Sequence, residues 1–270
     1  MNLSSLRPTR ILRAVGLGAL ADHVNLRMLH RRRKQVAARH LRGHGLEIGA
    51  LHFPLPVPRG VRVRYVDNRP WDAAAAEAAG FDARNVVRPD LIEDGFTLAS
   101  VPAESQDFVV ANHVLEHSPD PLGTLGHWCR VVKPGGHVFL ALPIAEKCFD
   151  RGRPETTLQH LLEDRRLTAA GDLAAMRSRN REHYRDWAAI SEPNGEHIAG
   201  RSPPPLTEAQ VEARVEQLAA GAADIHFHTY SEESFRRLLE HFVGRIDPRF
   251  AVAEFRPSGG EIIAVLSRAR

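Results

Sequence analysis

Cysteine is scarce. Cys129 and Cys148 are the whole complement in 270 residues, which rules out a disulfide framework or a thiolate metal site and fits a reducing, cytoplasmic setting. Long apolar runs are missing as well. Nothing approaches the roughly 20 residues needed to cross a bilayer. The stretch from Ile11 to Leu20 is short and interrupted by Arg13 and Ala14-Val15-Gly16, so a secretory signal is not expected either. Aromatic residues make up 6% of the chain and are absent from the basic run Arg27, Arg31, Arg32, Arg33, Lys34, Arg39 and Arg42. Without rings to stack on bases, that run reads as a solvated helix face and nucleic acid is not the expected partner. Contact with an acidic partner or a membrane surface stays open, and nothing sets an oligomeric state.

What is present suits a folded enzyme-sized domain: 43% hydrophobic and 26% charged residues with a net charge of +3. Short apolar runs alternate with helical stretches, the pattern of an α/β fold with a mainly parallel sheet. Strands are expected near 45–49, 62–67, 85–89, 107–112 and 136–142. A crossover helix is expected over Asp72 to Ala79 and another over Pro121 to Val131. The run His137-Val138-Phe139-Leu140-Ala141-Leu142-Pro143 is nearly all apolar, as a central strand covered on both faces must be. About 80 polar, helix-forming residues follow, with Ser202-Pro203-Pro204-Pro205 among them, and read as an inserted lid. A helix capped by Ser231 and a hairpin of 250–256 with 261–267 complete the chain. The expected organisation is a basic helical cap (1–42), a ligand-binding core (43–143), a helical insertion (144–224) and a returning core segment (225–270).

Two acids point to a ligand. Glu47 ends the run Leu46-Glu47-Ile48-Gly49-Ala50, and Asp67 ends Val63-Arg64-Tyr65-Val66 twenty residues later. In doubly wound sheets, ligands settle beyond the carboxyl ends of strands and an acid at about this spacing holds ribose hydroxyls. A carboxylate at the first turn repels a pyrophosphate. Three prolines in Leu51-His52-Phe53-Pro54-Leu55-Pro56-Val57-Pro58 also oppose an anion-binding helix there. A cationic ligand with an adenosine end, such as S-adenosylmethionine, fits this pair better than a dinucleotide.

The joint order of four motifs resembles the class I S-adenosylmethionine-dependent methyltransferases. The motifs are the segment around Glu47 and Gly49, Asp67, Asp94-Gly95-Phe96 followed by Leu98, and Asn112-His113-Val114-Leu115-Glu116-His117 ahead of Val132-Lys133-Pro134-Gly135-Gly136. The resemblance spans about residues 43–143 and the terminal hairpin, and implies a Rossmann-like seven-stranded sheet. It also implies that Glu47 and Gly49 flank the methionine moiety, that Asp67 holds the ribose and that Asp94 and Gly95 face the adenine. Asn112 and His117 then border the sulfonium side. One departure stands out: Leu51 and Phe53 occupy positions where that family usually has glycine, which narrows the expected pocket. The stretch from Phe149 through Asp164, with His183-Tyr184, resembles a subgroup found beside glycan-building enzymes, which implies a small-molecule or glycan-type acceptor methylated on oxygen or nitrogen.

Methyl transfer is a direct displacement, so alignment dominates and a histidine base assists where the acceptor must lose a proton. Of fifteen histidines, His113, His117, His183 and His228 are the candidates. His226-x-His228 would place two rings on one strand face, yet no third ligand is identifiable from spacing, so no metal site is expected. Tyr184 and Trp187 either floor an acceptor pocket or dock a helix. Arg165, Arg166, Arg177, Arg179 and Arg181 read by default as solvated. A silent methyltransferase-like scaffold is the alternative function.

Overall fold

The computed structural model describes residues 18–71, 84 and 86–270. The expected Asp72–Ala79 helix and the first seventeen residues lie outside them. Helix α1 (Gly18–His40) leads into β1 (His44–Ile48), β2 (Arg62–Asp67), a two-residue β3 (Leu91–Ile92) and β4 (Gln106–Asn112). Helix α2 (Pro121–Val131) and β5 (Val132–Pro143) follow. Helices α3 (Leu158–Ala170), α4 (Leu173–Asp186), α5 (Glu192–Ile198) and α6 (Glu208–Ala220) form the insertion. Helix α7 (Glu232–His241), β6 (Phe250–Ser258) and β7 (Glu261–Arg268) close the fold.

The seven strands form one sheet in the order β3-β2-β1-β4-β5-β7-β6. The pairs from β3 to β5 are parallel, and β7 runs antiparallel to both β5 and β6. Glu47 is level with Tyr65 and Val110, and Asp67 with Ile92, so the carboxyl ends of β1 to β4 share one edge. Alternation along the strands divides the core. Leu46, Ile48, Val109, Ala111, Val138 and Leu140 face α2 and α7 on one side. Phe108, Val110, Phe139, Ala141 and Ile263 face Val36, Ala37 and Leu41 on the other. Thus the end of α1 is part of the core. The insertion has its own small core of Tyr184, Ala188, Val211, Val215, Leu218 and Phe227.

Three expectations shift. The strand expected at 85–89 is replaced by β3, because Pro89 lacks a ladder donor. Asp90 ties the crossing instead: its N–H donates to the Tyr65 carbonyl at 2.8 Å and its carboxylate accepts from the Tyr65 N–H at 2.8 Å. Residues 225–230 carry His226 and His228 but form no strand. Arg33 is no solvated side chain; it is buried and donates through Nε (3.0 Å) and Nη2 (2.5 Å) to Glu261. Helices α2 and α7 begin where expected, with the Asp120 carboxylate accepting from the Gly123 N–H at 2.8 Å and the Ser231 hydroxyl from the Glu233 and Ser234 N–H groups.

Candidate functional site

A cavity of about 200 Å³ opens at the carboxyl ends of β1, β2 and β4. Its wall brings together Gly49, Asp67, Asp94, Gly95, His113 and His117, and adds Asn68, Trp71, Phe96 and Asp224. Gly49 has φ +62, and a Cβ there would press on Val114 at 3.2 Å, so glycine lets the β1 turn pass close to the next motif. A Cβ on Gly95 would sit 2.5 Å from Ile48, so this glycine lets the Asp94 turn close against β1. Asp94 stabilises that turn by accepting from the Phe96 N–H at 2.9 Å. Burial pushes the Asp67 carboxyl up from its ordinary value.

Leu51 lines the cavity and is held at φ +47, in the left-handed region that glycine favours. Phe53 does not reach the wall; it stacks on His30 at 3.9 Å between ring centroids. The narrowing expected from both side chains comes from Leu51 alone.

Glu47 is turned away. Because β1 alternates, Ile48 faces the cavity while Glu47 points to the opposite side, where both of its oxygens accept from the Leu55 N–H at 2.8 and 3.0 Å. Pro54 and Pro56 on either side have no N–H to give. The Asn112 amide also donates to Glu47, at 3.2 Å. Burial carries the Glu47 carboxyl up to about 7 despite these donors. Neither Glu47 nor Asn112 lines the cavity, so the acids facing a ligand are Asp67, Asp94 and Asp224. Arg69 also lines the cavity, stacked on Trp71, so the wall carries three carboxylates against one guanidinium and no phosphate-binding helix, an acidic balance that still suits a ligand with a positive centre.

The histidines divide into three settings. His113, at φ +56, lines this cavity and a second one of about 280 Å³ shared with Cys148, Phe149, His226 and Glu261. Its Nε2 lies 2.9 Å from Glu261. His117 meets Asp224 at 2.7 Å through Nδ1. Burial opposes charge on that ring, yet Asp224 and Glu116 raise it above its ordinary value. His226 bonds Asp150 at 2.6 Å, and burial notwithstanding, that contact with Ser191 and Arg153 holds the Asp150 carboxyl down to about 2. His183 and His228, expected at the site, lie on neither cavity wall and group instead with His160 and Asp164. Burial drives His183 down to about 3 and His228 well below its ordinary value.

Tyr184 and Trp187 sit in and against the insertion core. A larger cavity of about 450 Å³ between α5, α6 and Pro203-Pro204 is lined by none of the candidate residues. Asp224 and Glu261 were not legible as site residues, since each reaches the site only through folding of distant segments.

The family model described as Methyltransferase domain matches residues 58–242, so β1 precedes the matched span. A ubiquinone biosynthesis O-methyltransferase of Aliivibrio fischeri (strain MJ11) is 47% identical over 38 residues, 14% of this chain and 16% of the relative. The match therefore spans about a sixth of that relative's length. Among solved structures, a SAM-dependent methyltransferase from Thermotoga maritima, described as a possible histamine N-methyltransferase, has a TM-score of 0.46 at 14% identity and covers 96% of this chain and 99% of its own. A SAM-dependent methyltransferase from Aquifex aeolicus has a TM-score of 0.41 at 13% identity, covering 87% of each chain. Family membership rests on the family-model match, which takes in most of the chain and reaches from β2 through α7. The chain belongs to the methyltransferase-domain family.

Proposed function

We propose that the chain methylates an oxygen or nitrogen of a small-molecule or glycan-type acceptor, with the donor in the first cavity and the acceptor in the second. The observation that carries this reading is His113, which borders both cavities and is paired with Glu261 at 2.9 Å. S-adenosylmethionine supplies, when bound, an electrophilic methyl on a sulfonium, and no covalent enzyme intermediate is required. On the donor side, the Gly49 backbone, Asp67 and the Asp94–Phe96 turn are the groups to hold it.

In the tautomer that carries its proton on Nε2, toward Glu261, His113 keeps an Nδ1 lone pair, 3.9 Å from the buried Glu116 carboxylate, to take a proton from an acceptor hydroxyl or ammonium. Although burial opposes charge on His117, Asp224 and Glu116 favour its protonated form, which leaves less of its ring free to take a proton. Its place is to hold an acceptor or donor polar group at the boundary. A cytoplasmic site of action accords with two free cysteines, Cys129 and Cys148.

The test incubates the protein with methyl-labelled donor and a panel of hydroxylated and aminated sugars, phenols and amines, read by mass spectrometry. One methyl gained on oxygen or nitrogen is the expected product. Transfer solely to carbon, protein or nucleic acid overturns the reading. His113→Gln should lower kcat by about 10²–10⁴-fold with donor affinity held. Asp67→Asn should weaken donor binding by roughly tenfold, the worth of one hydrogen bond to a charged group.

A further inference from the structure

Outside the methyl-transfer site, the structure brings three imidazoles and a carboxylate to one point. Helix α3 supplies His160 and Asp164, four residues apart on one face. Helix α4 supplies His183, and the extended segment before α7 supplies His228. His160 Nε2 lies 3.2 Å from His183 Nε2 and 3.2 Å from Asp164 Oδ2. His228 Nε2 lies 3.7 Å from the same oxygen. All four ligand atoms fall within 4.8 Å of one another.

Hydrogen bonding does not account for this convergence. His228 is 1% exposed, and neither of its ring nitrogens has a hydrogen-bond partner; the Pro119 carbonyl stands beside the ring without normal bonding geometry. Asp164 is 4% exposed, and its Oδ2 is likewise unpartnered while Arg179 occupies Oδ1. Buried polar atoms facing one another without protons to share are costly unless something fills the gap. Two ring nitrogens in contact can share at most one proton between them, and a proton held between His160 and His183 is not given to Asp164 Oδ2, which has no hydrogen-bond partner.

We propose that His160, Asp164, His183 and His228 form a closed binding site for one Zn²⁺ ion, which fastens the insertion to the core. Zinc bonds of roughly 2.0–2.1 Å to nitrogen and oxygen place tetrahedral ligands about 3.4 Å apart, a spacing bracketed by the three contacts of 3.2, 3.2 and 3.7 Å. Three imidazoles and a single carboxylate suit a borderline transition ion and not Mg²⁺ or Ca²⁺, which require a shell of oxygens. Four protein ligands leave no open position, so the ion is structural. Arg179 acts from outside the shell: by holding Oδ1 it keeps Asp164 a one-oxygen ligand.

The site has a reach beyond the insertion. The His228 N–H donates to the Glu116 carbonyl at 3.1 Å, one residue before His117 on the cavity wall. An ion holding the His228 ring to α3 and α4 therefore fixes the segment that buttresses the fourth-strand motif. The proposal stands whatever the methyl acceptor is.

The untagged full chain is analysed for metal as purified, stripped with dipicolinate and then titrated with ZnCl₂ while zinc content and Tm are followed. The expected result is one zinc per chain, a lower Tm after stripping, and recovery at one equivalent of Zn²⁺ but not with MgCl₂. Asp164→Asn and His228→Ala should each weaken zinc affinity by at least 100-fold, whereas His197→Ala, on exposed α5, should leave it unchanged. Should those variants fail to fold, Co²⁺ added to stripped wild-type protein provides the second readout, through the visible bands of tetrahedral cobalt. A wild-type chain that carries no zinc, gains no Tm from it and shows no tetrahedral cobalt spectrum overturns the proposal.

Discussion

Replacing Glu47 by glutamine tests the assignment of this residue to the loop instead of the ligand. Glu47 is almost wholly buried, and burial lifts its carboxyl from 4.5 to about 7. The sign follows from linkage. A raised folded-state value means the native state binds the proton more tightly than the unfolded chain, so its contribution is full below about pH 4.5 and is lost as pH rises through about 7. A displacement of that size, at about 1.4 kcal/mol per unit, costs roughly 3 kcal/mol once the group is ionised, and about 2–3 kcal/mol of this falls between about pH 5 and pH 8. Glutamine keeps an oxygen for the Leu55 N–H. Its amide can also donate to Asn112 Oδ1, which is buried without a partner. The assay is urea unfolding of wild type and Glu47→Gln at several pH values across that range. Taking the difference between the two proteins cancels every other titrating group. The stability difference should move in favour of the variant by about 2–3 kcal/mol from pH 5 to pH 8. Parallel curves would mean that Glu47 is solvated, and the account of the proline loop would be wrong.

Other substitutions separate backbone, packing and charge. Leu51→Val should cost about 1–2 kcal/mol, because a β-branched side chain at φ +47 is strained, while Leu51→Gly should stay within about 1 kcal/mol of wild type; thermal unfolding reads both. Gly95→Ala drives a methyl into Ile48 and should cost roughly 1–3 kcal/mol in the wild-type background but much less when added to Ile48→Ala, a coupling that urea unfolding of the four-protein cycle measures. Arg33→Met leaves the buried Glu261 carboxylate short of its main partner and should cost about 3–5 kcal/mol, against less than about 1 kcal/mol for Arg39→Met, whose pair with Glu254 is half-exposed. Equal effects of the two arginine substitutions in denaturant titrations would contradict the burial of Arg33.

Period and punctuation made most of the fold legible. Apolar runs bounded by glycine and proline located β1, β2, β4, β5 and the hairpin, and Ser231 marked the start of α7 because a short polar side chain at that position accepts from the first helical N–H groups. What failed was the edge. The strand expected at 85–89 has a proline in its last position, and pairing begins only after it, at Leu91. The insertion offered no period linking His160 to His183 or His228, since the contacts among them cross 23 to 68 residues of chain and depend on how α3 and α4 pack.

The candidate site was legible as a place more than as a set of side chains. Acids at the ends of successive strands marked the sheet edge where the cavity opens, yet which of them line it depends on the parity of each strand, and parity is a property of register. Leu46 and Ile48 must enter the core shared with α2 and α7, so Glu47 between them is sent to the opposite side. There it meets a loop whose prolines leave the Leu55 N–H needing an acceptor. Asp67 escapes this constraint because it ends β2, beyond the last buried position, Val66, and Asp94 because it lies in a turn. A carboxylate flanked by two core residues within a strand is therefore a poor candidate for facing the cavity, whereas one just past the last core residue is a good one. Applied to β4, the same reasoning sends Asn112 to the side of Phe108 and Val110, toward Glu47, and leaves His113, one residue beyond the strand, as a side chain that reaches the cavity at the strand ends.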